Sequence, residues 1–312
     1  MHVSTPAPAA RPPSPFDPDD EIRYSVWRRR KLGRVPLGAD RLVVEVDDPR
    51  RLRAAERDAL MTRCRRANMA VYATHVRDCE DKGIPRALGA QLGLCRLDHN
   101  WLADDDAITS LTVSGTGPRA EFIPYTDRPI HWHTDGYYNP PGDQVHGLIL
   151  HCVEPAAAGG ENRVLDHELA YMLLRDRNPA YVRALMAPDA MTIPARVGGG
   201  QVVRPARTGP VFAITAAGDL HMRYTARGRN VVWKDDPVVL EAVGALQRLL
   251  ADACPYVMTL RLERGMGLVC NNVLHDRAGF RDDPAAPKRL LYRARYYDRV
   301  ACAAPKDQVA GW

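Results

Sequence analysis

No uninterrupted apolar run approaches the roughly 18 residues that a membrane-spanning helix needs, so the chain is not expected to cross a bilayer. Cysteine is sparse and unpatterned. The seven, at positions 64, 79, 95, 152, 254, 270 and 302, are odd in number and scattered, without a C-x-x-C or a tight Cys/His spacing. That argues against a disulfide framework and against structural zinc. The dense basic clustering of a nucleic-acid binder is also missing: the net charge is +5 with ten histidines uncounted, an excess that suits an anionic small molecule better. There is no internal repeat. At the N-terminus, where a secretion signal would carry a positive start and an apolar stretch, the chain has proline, alanine and acidic residues, and the expected compartment is the reducing cytosol.

What the sequence does have is core material: 46% of its 312 residues are hydrophobic and 26% charged. Residues 1–20 hold six prolines and almost nothing large and apolar. This segment is expected to be disordered and to lie outside the fold, leaving residues 21–312 as one domain. The run Trp27 to Lys31 reads as a solvated basic face. A helix after Asp48 is expected to feed a strand at 69–74, with a second short helix over 85–94. Further strands are expected at 108–113, 148–153, 256–262, 267–271 and 290–297, and a hairpin at 211–224. Helical patterns fall at 167–177, 180–186 and 237–253, the last with the apolar stripe Val239, Val243, Leu246, Leu249, Leu250. Strands dominate and helices interrupt them. The expected fold is mainly β with helices: a double-stranded β-helix (jelly roll) core decorated by helical insertions.

The densest group of candidate metal ligands is the segment from Ile130 to Tyr138. In an extended chain, side chains two apart share a face, so His133 and Asp135 can present an imidazole and a carboxylate to one ion. A second histidine from a distant strand would complete the 2-His-1-carboxylate arrangement, which leaves three adjacent positions open on iron(II). Among His75, His99, His146, His151, His167, His221 and His275, only His275 has the right surroundings. It follows the strand-like Gly267 to Leu274 and precedes Asp276-Arg277, with Arg289, Arg293 and Arg295 shortly after.

From about Met69 to Asp298 the sequence resembles the iron(II)- and 2-oxoglutarate-dependent oxygenases of the taurine dioxygenase (TauD/TfdA) group, which includes γ-butyrobetaine hydroxylase. The likeness rests on five ordered islands: His133-Thr134-Asp135, Pro140-Pro141-Gly142, Leu150 to Val153 with the turn Gly159-Gly160-Glu161, Asn271 to His275, and Arg289 to Arg293. It implies a dioxygenase that uses Fe(II), 2-oxoglutarate and O2 to oxidise, by default hydroxylate, a C–H bond of a small acidic or zwitterionic metabolite, with succinate and CO2 as coproducts. It implies that His133, Asp135 and His275 hold the iron and that Arg289 grips the distal carboxylate of 2-oxoglutarate, for which a guanidinium fork is well shaped. Arg293, on the same strand face as Arg289, is implied to meet an acidic group of the substrate.

Two departures from the family pattern stand out. Asn162 occupies the place of a threonine that hydrogen-bonds 2-oxoglutarate, and its amide can still donate. Pro129 stands where the taurine enzyme has a substrate-binding asparagine, so taurine is a poor guess. Tyr137 and Tyr138, with Trp132, read either as an aromatic wall or ammonium cage for substrate, or as core. The arginines between Arg223 and Asn230 read slightly better as a solvated turn than as an anion entrance. His99 and Trp101 lie where related proteins place substrate contacts. The expected partner is a small anionic or zwitterionic molecule, with neither nucleic acid nor membrane, and the resemblance leaves a homo-oligomer open. A silent jelly roll that binds a small anion or a partner protein is the second reading, opposed by the intact triad. A zinc hydrolase is the third, opposed by the arginine clamp.

Overall fold

A computed structural model describes residues 13–99, 103–228 and 231–300. Its centre is two sheets laid face to face. The six-stranded sheet runs Val43–Glu45, Met69–Ala73, Met266–Cys270, Gly147–Glu154, Leu290–Tyr296, Thr109–Leu111. Its first pair is parallel and the rest antiparallel. The four-stranded sheet runs Met258–Leu260, Asn162–Leu165, Leu274–Arg277, Ile130–His133, all antiparallel. Strand neighbours far apart in sequence are what the double-stranded β-helix requires, and this is that expected core.

Side chains alternate across a strand, and both faces of the six-stranded sheet are buried, alternate residues entering different clusters. Met69, Val71, Leu148, Leu150, Cys152, Leu268, Cys270 and Leu291 pack between the sheets against Val164, Met258 and Leu260. The odd positions 291, 293 and 295 of Leu290–Tyr296 therefore face the interior, and with Arg289 buried just before the strand this places three arginines beside an apolar core. The even positions Tyr292, Ala294 and Tyr296 point outward with Ala70, Tyr72 and Ile149. They are covered by helix α2 (Ala54–Ala67), through Leu60, Met61 and Cys64, and by α3 (Gly83–Gln91), through Leu88.

A third cluster lies against the four-stranded sheet. It joins α4 (His167–Arg177), α5 (Pro179–Leu185) and α6 (Pro237–Ala251) to the antiparallel hairpin Phe212–Ile214 and Leu220–Met222. Asp166, Asn178 and Asp236 each cap the helix that follows by accepting from a backbone N–H, and α5 and α6 open with proline, whose missing N–H costs nothing there. No described helix is long and apolar enough to cross a membrane.

The N-terminal expectation is corrected for residues 13–20. Phe16 is buried in the third cluster, and the Ser14 hydroxyl donates to the Gly218 carbonyl at 2.8 Å. The Tyr171 hydroxyl donates to the Phe16 carbonyl at 2.9 Å. A proline-rich segment is held here because one large aromatic and several backbone carbonyls find partners on α4, which local composition does not show. Residues 1–12 lie outside the described residues. The basic face also needs correction: residues 21–32 form helix α1, and Lys31 is buried, 2.5 Å from Asp166 and 2.6 Å from Glu168. Burial alone would raise the Glu168 carboxyl, but Lys31 overrides it and holds the group below the ordinary carboxylate range.

Candidate metal centre

His133 ends one strand of the four-stranded sheet and His275 sits directly opposite it in the next, so their side chains leave the sheet on one face. The rings lie 4.2 Å apart, centroid to centroid. Asp135 follows two residues on, and one donor atom from each of the three residues lies within 4.8 Å of the others. The Nδ1–H of His133 donates to the His131 carbonyl at 2.9 Å, and that of His275 to the Val273 carbonyl at 2.9 Å. Each ring therefore carries its proton on Nδ1 and keeps the lone pair on Nε2, the orientation metal-binding histidines need. Burial, then the proximity of His275, pushes His133 down to about 3, so it is neutral at physiological pH.

Asp135 is buried. Desolvation alone would favour its neutral form, but the guanidinium charges of Arg293 and Arg295 outweigh it and keep the carboxyl well below its usual range. Its Oδ1 lies 3.7 Å from His133 Nε2 and 3.5 Å from Arg293 Nη1. Its Oδ2 is buried with no hydrogen-bond partner. Two lone-pair nitrogens, one ionised carboxylate and an orphaned buried oxygen make a donor set that fits a divalent iron ion in the 2-His-1-carboxylate pattern.

Sequence reasoning missed the residue that holds Asp135 in place. Asn272 sits in a left-handed backbone conformation, φ 49°. Its Oδ1 accepts from the Asp135 N–H at 2.8 Å, and its Nδ2 donates to the carbonyls of Asp135 at 2.9 Å and Val145 at 2.7 Å. One buried amide thus ties the carboxylate's backbone to the segment that leads into His275. The polar pair Asn271-Asn272 interrupting an apolar strand is the only sequence signal for it. Asn272→Gly keeps the left-handed backbone accessible and removes only the clamp, so Fe(II) affinity is expected to fall about 10- to 100-fold with the fold intact. An anaerobic metal titration of the variant that matches the wild type would contradict this.

Arg163 was likewise unforeseen. Its guanidinium donates to the Asp276 carboxylate beside His275 and lies 5.1 Å from the ring centroid of Trp132, next to His133. It braces the two ligand strands from the outside.

Arg289 and Asn162, expected together from the resemblance, do line one small cavity with Gly159, Gly160 and Leu291. Arg289 is buried, and no described carboxylate lies within 4.0 Å of its guanidinium; burial lowers its proton affinity. Gly160 beside it takes φ 80°, a left-handed backbone that glycine adopts without strain. Asn162 differs from the expectation in detail, because its Nδ2 already donates to the Asp276 carbonyl at 2.8 Å. Its other N–H and its oxygen carry no such bond.

Arg293 lies beside Asp135, as described, and its Nε is buried without a partner. The tyrosines meet arginines: Arg295 donates to the Tyr138 hydroxyl at 2.9 Å and pairs with Asp98 at 2.5 Å, and the Tyr137 and Tyr138 rings pack edge to face at 5.1 Å. Cations already flank Tyr138, so the ammonium-cage reading is corrected. Arg223 is not in a solvated turn; it is buried and donates to the Met191 and Gly209 carbonyls at 2.6 and 3.0 Å. His99 is exposed, and Trp101 lies outside the described residues.

The family model described as "Taurine catabolism dioxygenase TauD, TfdA family" matches residues 81–295. A uridine-5'-phosphate dioxygenase from Amycolatopsis is 32% identical over 170 residues, which is 53% of this chain and 60% of that protein. The match therefore spans less than two thirds of this relative's length. A second uridine-5'-phosphate dioxygenase, from Streptomyces, is 30% identical over 196 residues, 60% of this chain and 68% of that one. Among solved structures, an asparagine oxygenase in complex with Fe(II), 2S,3S-3-hydroxyasparagine and succinate superposes with a TM-score of 0.58 at 15% identity, covering 89% of this chain and 85% of that chain. The non-heme iron oxygenase OrfP in complex with Fe and alpha-ketoglutaric acid gives 0.58 at 16% identity, covering 80% and 81%. At such identities the superpositions establish the shared jelly-roll fold.

Proposed function

This chain belongs to the TauD, TfdA family, and from that premise we propose that it is an iron(II)- and 2-oxoglutarate-dependent dioxygenase that hydroxylates a C–H bond of a nucleoside 5'-phosphate. The observation that carries the reading is the triad itself: three donor atoms within 4.8 Å, both imidazole lone pairs turned to one point, and a buried carboxylate oxygen left without a partner. His133, Asp135 and His275 would hold the metal. Arg289, buried and with no described carboxylate within 4.0 Å, would hold the far carboxylate of 2-oxoglutarate by a two-pronged, permanently charged contact, with Asn162 alongside.

The chemistry that iron(II) and 2-oxoglutarate supply when bound is activation of O2 coupled to decarboxylation of the cosubstrate to succinate and CO2. The protein's own residues position and protect. Arg293 and Arg295 keep Asp135 anionic, Asn272 fixes its backbone, and the carbonyls of His131 and Val273 fix the two rings. The inter-sheet cluster around Leu150, Leu268 and Leu291 gives the inward arginines a water-poor setting, which strengthens every charge contact there.

The substrate class rests on the names of the two relatives and on the surplus of positive charge at the centre. The six described cysteines are all free, which supports a reducing cytosolic setting. Succinate formation from 2-oxoglutarate is expected to depend on added uridine-5'-phosphate and to be far weaker with uridine, measured with iron-loaded full-length chain. Turnover indifferent to the phosphate would contradict the substrate class.

A further inference from the structure

Arg295 is neutralised by Asp98 and Arg163 by Asp276. Arg204 and Arg227 are not, since no described carboxylate lies within 4.0 Å of either. Arg204 ends the strand Gln201–Arg204, half of an antiparallel hairpin with Arg196–Gly198. Its guanidinium is aimed by two carbonyls, Pro194 at 2.8 Å and Pro205 at 3.2 Å, which fix its direction without cancelling its charge. It stands 5.8 Å from the ring centroid of Tyr138, whose hydroxyl is already held by Arg295 on the strand that carries Arg293.

Arg227 reaches the same place from another element. The segment after the 212–222 hairpin runs beside the first ligand strand: Thr134 and Tyr224 exchange two hydrogen bonds, at 3.0 and 3.1 Å, Thr225 bridges to His133, and the Ala226 N–H donates to the Trp132 carbonyl at 2.8 Å. Arg227 comes next, and it faces the Tyr137 hydroxyl together with Thr225. Two arginines with no described carboxylate in reach thus stand at adjacent tyrosines, Arg204 by Tyr138 and Arg227 by Tyr137, just past Asp135 and Gly136. Burial disfavours the charge on Arg204, and Tyr137 and Tyr138 offset it only in part, so an anion placed there would relieve it.

We propose that Arg204 and Arg227, set over Tyr137 and Tyr138, form an anion subsite that takes the phosphate of a phosphate-monoester substrate. The inference deepens the dioxygenase reading above and rests on it. A phosphate monoester brings close to two negative charges and three terminal oxygens, enough for a guanidinium from each side; a carboxylate brings one charge and two oxygens. None of the four subsite residues lines the cavity of Arg289, the arginine proposed for the cosubstrate, so substrate and cosubstrate affinities should separate on mutation.

The test is steady-state kinetics of succinate release by the iron-loaded full-length chain, with uridine-5'-phosphate and uridine as probes, for wild type, Arg204→Ala, Arg204→Lys and Arg227→Ala. The expected result is a rise of about 10- to 100-fold in KM for uridine-5'-phosphate in the two alanine variants, partly recovered in Arg204→Lys. The KM for 2-oxoglutarate should not move, and the preference for uridine-5'-phosphate over uridine should collapse. A purely structural role for Arg204 would lower both substrates' turnover together and leave that preference intact, which overturns the subsite. Equal KM values in wild type and both alanine variants also overturn it. Absence of any uridine-5'-phosphate-dependent succinate from the wild type overturns the substrate reading, and the subsite with it.

Discussion

Replacing His275 by alanine is expected to reduce 2-oxoglutarate turnover by about 1000-fold or more while the protein stays folded. As a ligand His275 would supply one of three protein donors, and losing it would remove several kcal/mol of stabilisation of the bound ion and of the charge handled there. The structural cost is small by comparison. His275 makes one buried hydrogen bond, to the Val273 carbonyl, and such a bond contributes about 0.5–1.5 kcal/mol. Succinate assays paired with a thermal melt separate the two effects. A variant that keeps a tenth of wild-type turnover would show that His275 is not a ligand.

The second large effect is expected at Arg289, and it has two signs. A buried guanidinium without a carboxylate within 4.0 Å is expensive to fold around, because it has left water without gaining an ion pair. In Arg289→Met the apolar stem is kept and the charge is gone. The melting temperature of the ligand-free protein should hold or rise, while KM for 2-oxoglutarate should rise by about 30- to 1000-fold, the range for losing a buried charged contact. A structural arginine would behave the other way, with a lower melting temperature and an unchanged KM.

Much of the fold was readable because it rests on local periodicity. Helix α4 falls at His167–Arg177, the bounds its pattern predicts, and the short, nearly continuous apolar run in Gly147–Glu154 marks a strand buried on both faces. His133 and Asp135 were readable for the same reason, since two-residue spacing puts both on one face. His275 had no local signature strong enough by itself; its assignment came from ordered resemblance over the chain, and strand pairing explains it by setting it opposite His133. What stayed hidden depends on contacts across long separations. Lys31 is buried because α1 docks on α4, and Phe16 because it finds the same helix; neither is visible from a run of arginines or prolines. Asn272 acts through three hydrogen bonds to residues more than a hundred positions away. Arg204 lies in a short exposed hairpin, and nothing in that stretch shows that it folds over Tyr138.

The central claim is that this triad binds iron(II) and that Arg289 then binds 2-oxoglutarate. Its most direct measurement is the visible absorption of the purified protein on anaerobic addition of Fe(II) and 2-oxoglutarate. The account predicts a weak metal-to-ligand charge-transfer band, absent in His275→Ala and reached only at much higher 2-oxoglutarate in Arg289→Met. A folded wild-type protein that gives no band would contradict it and leave a jelly roll that binds anions without turning them over.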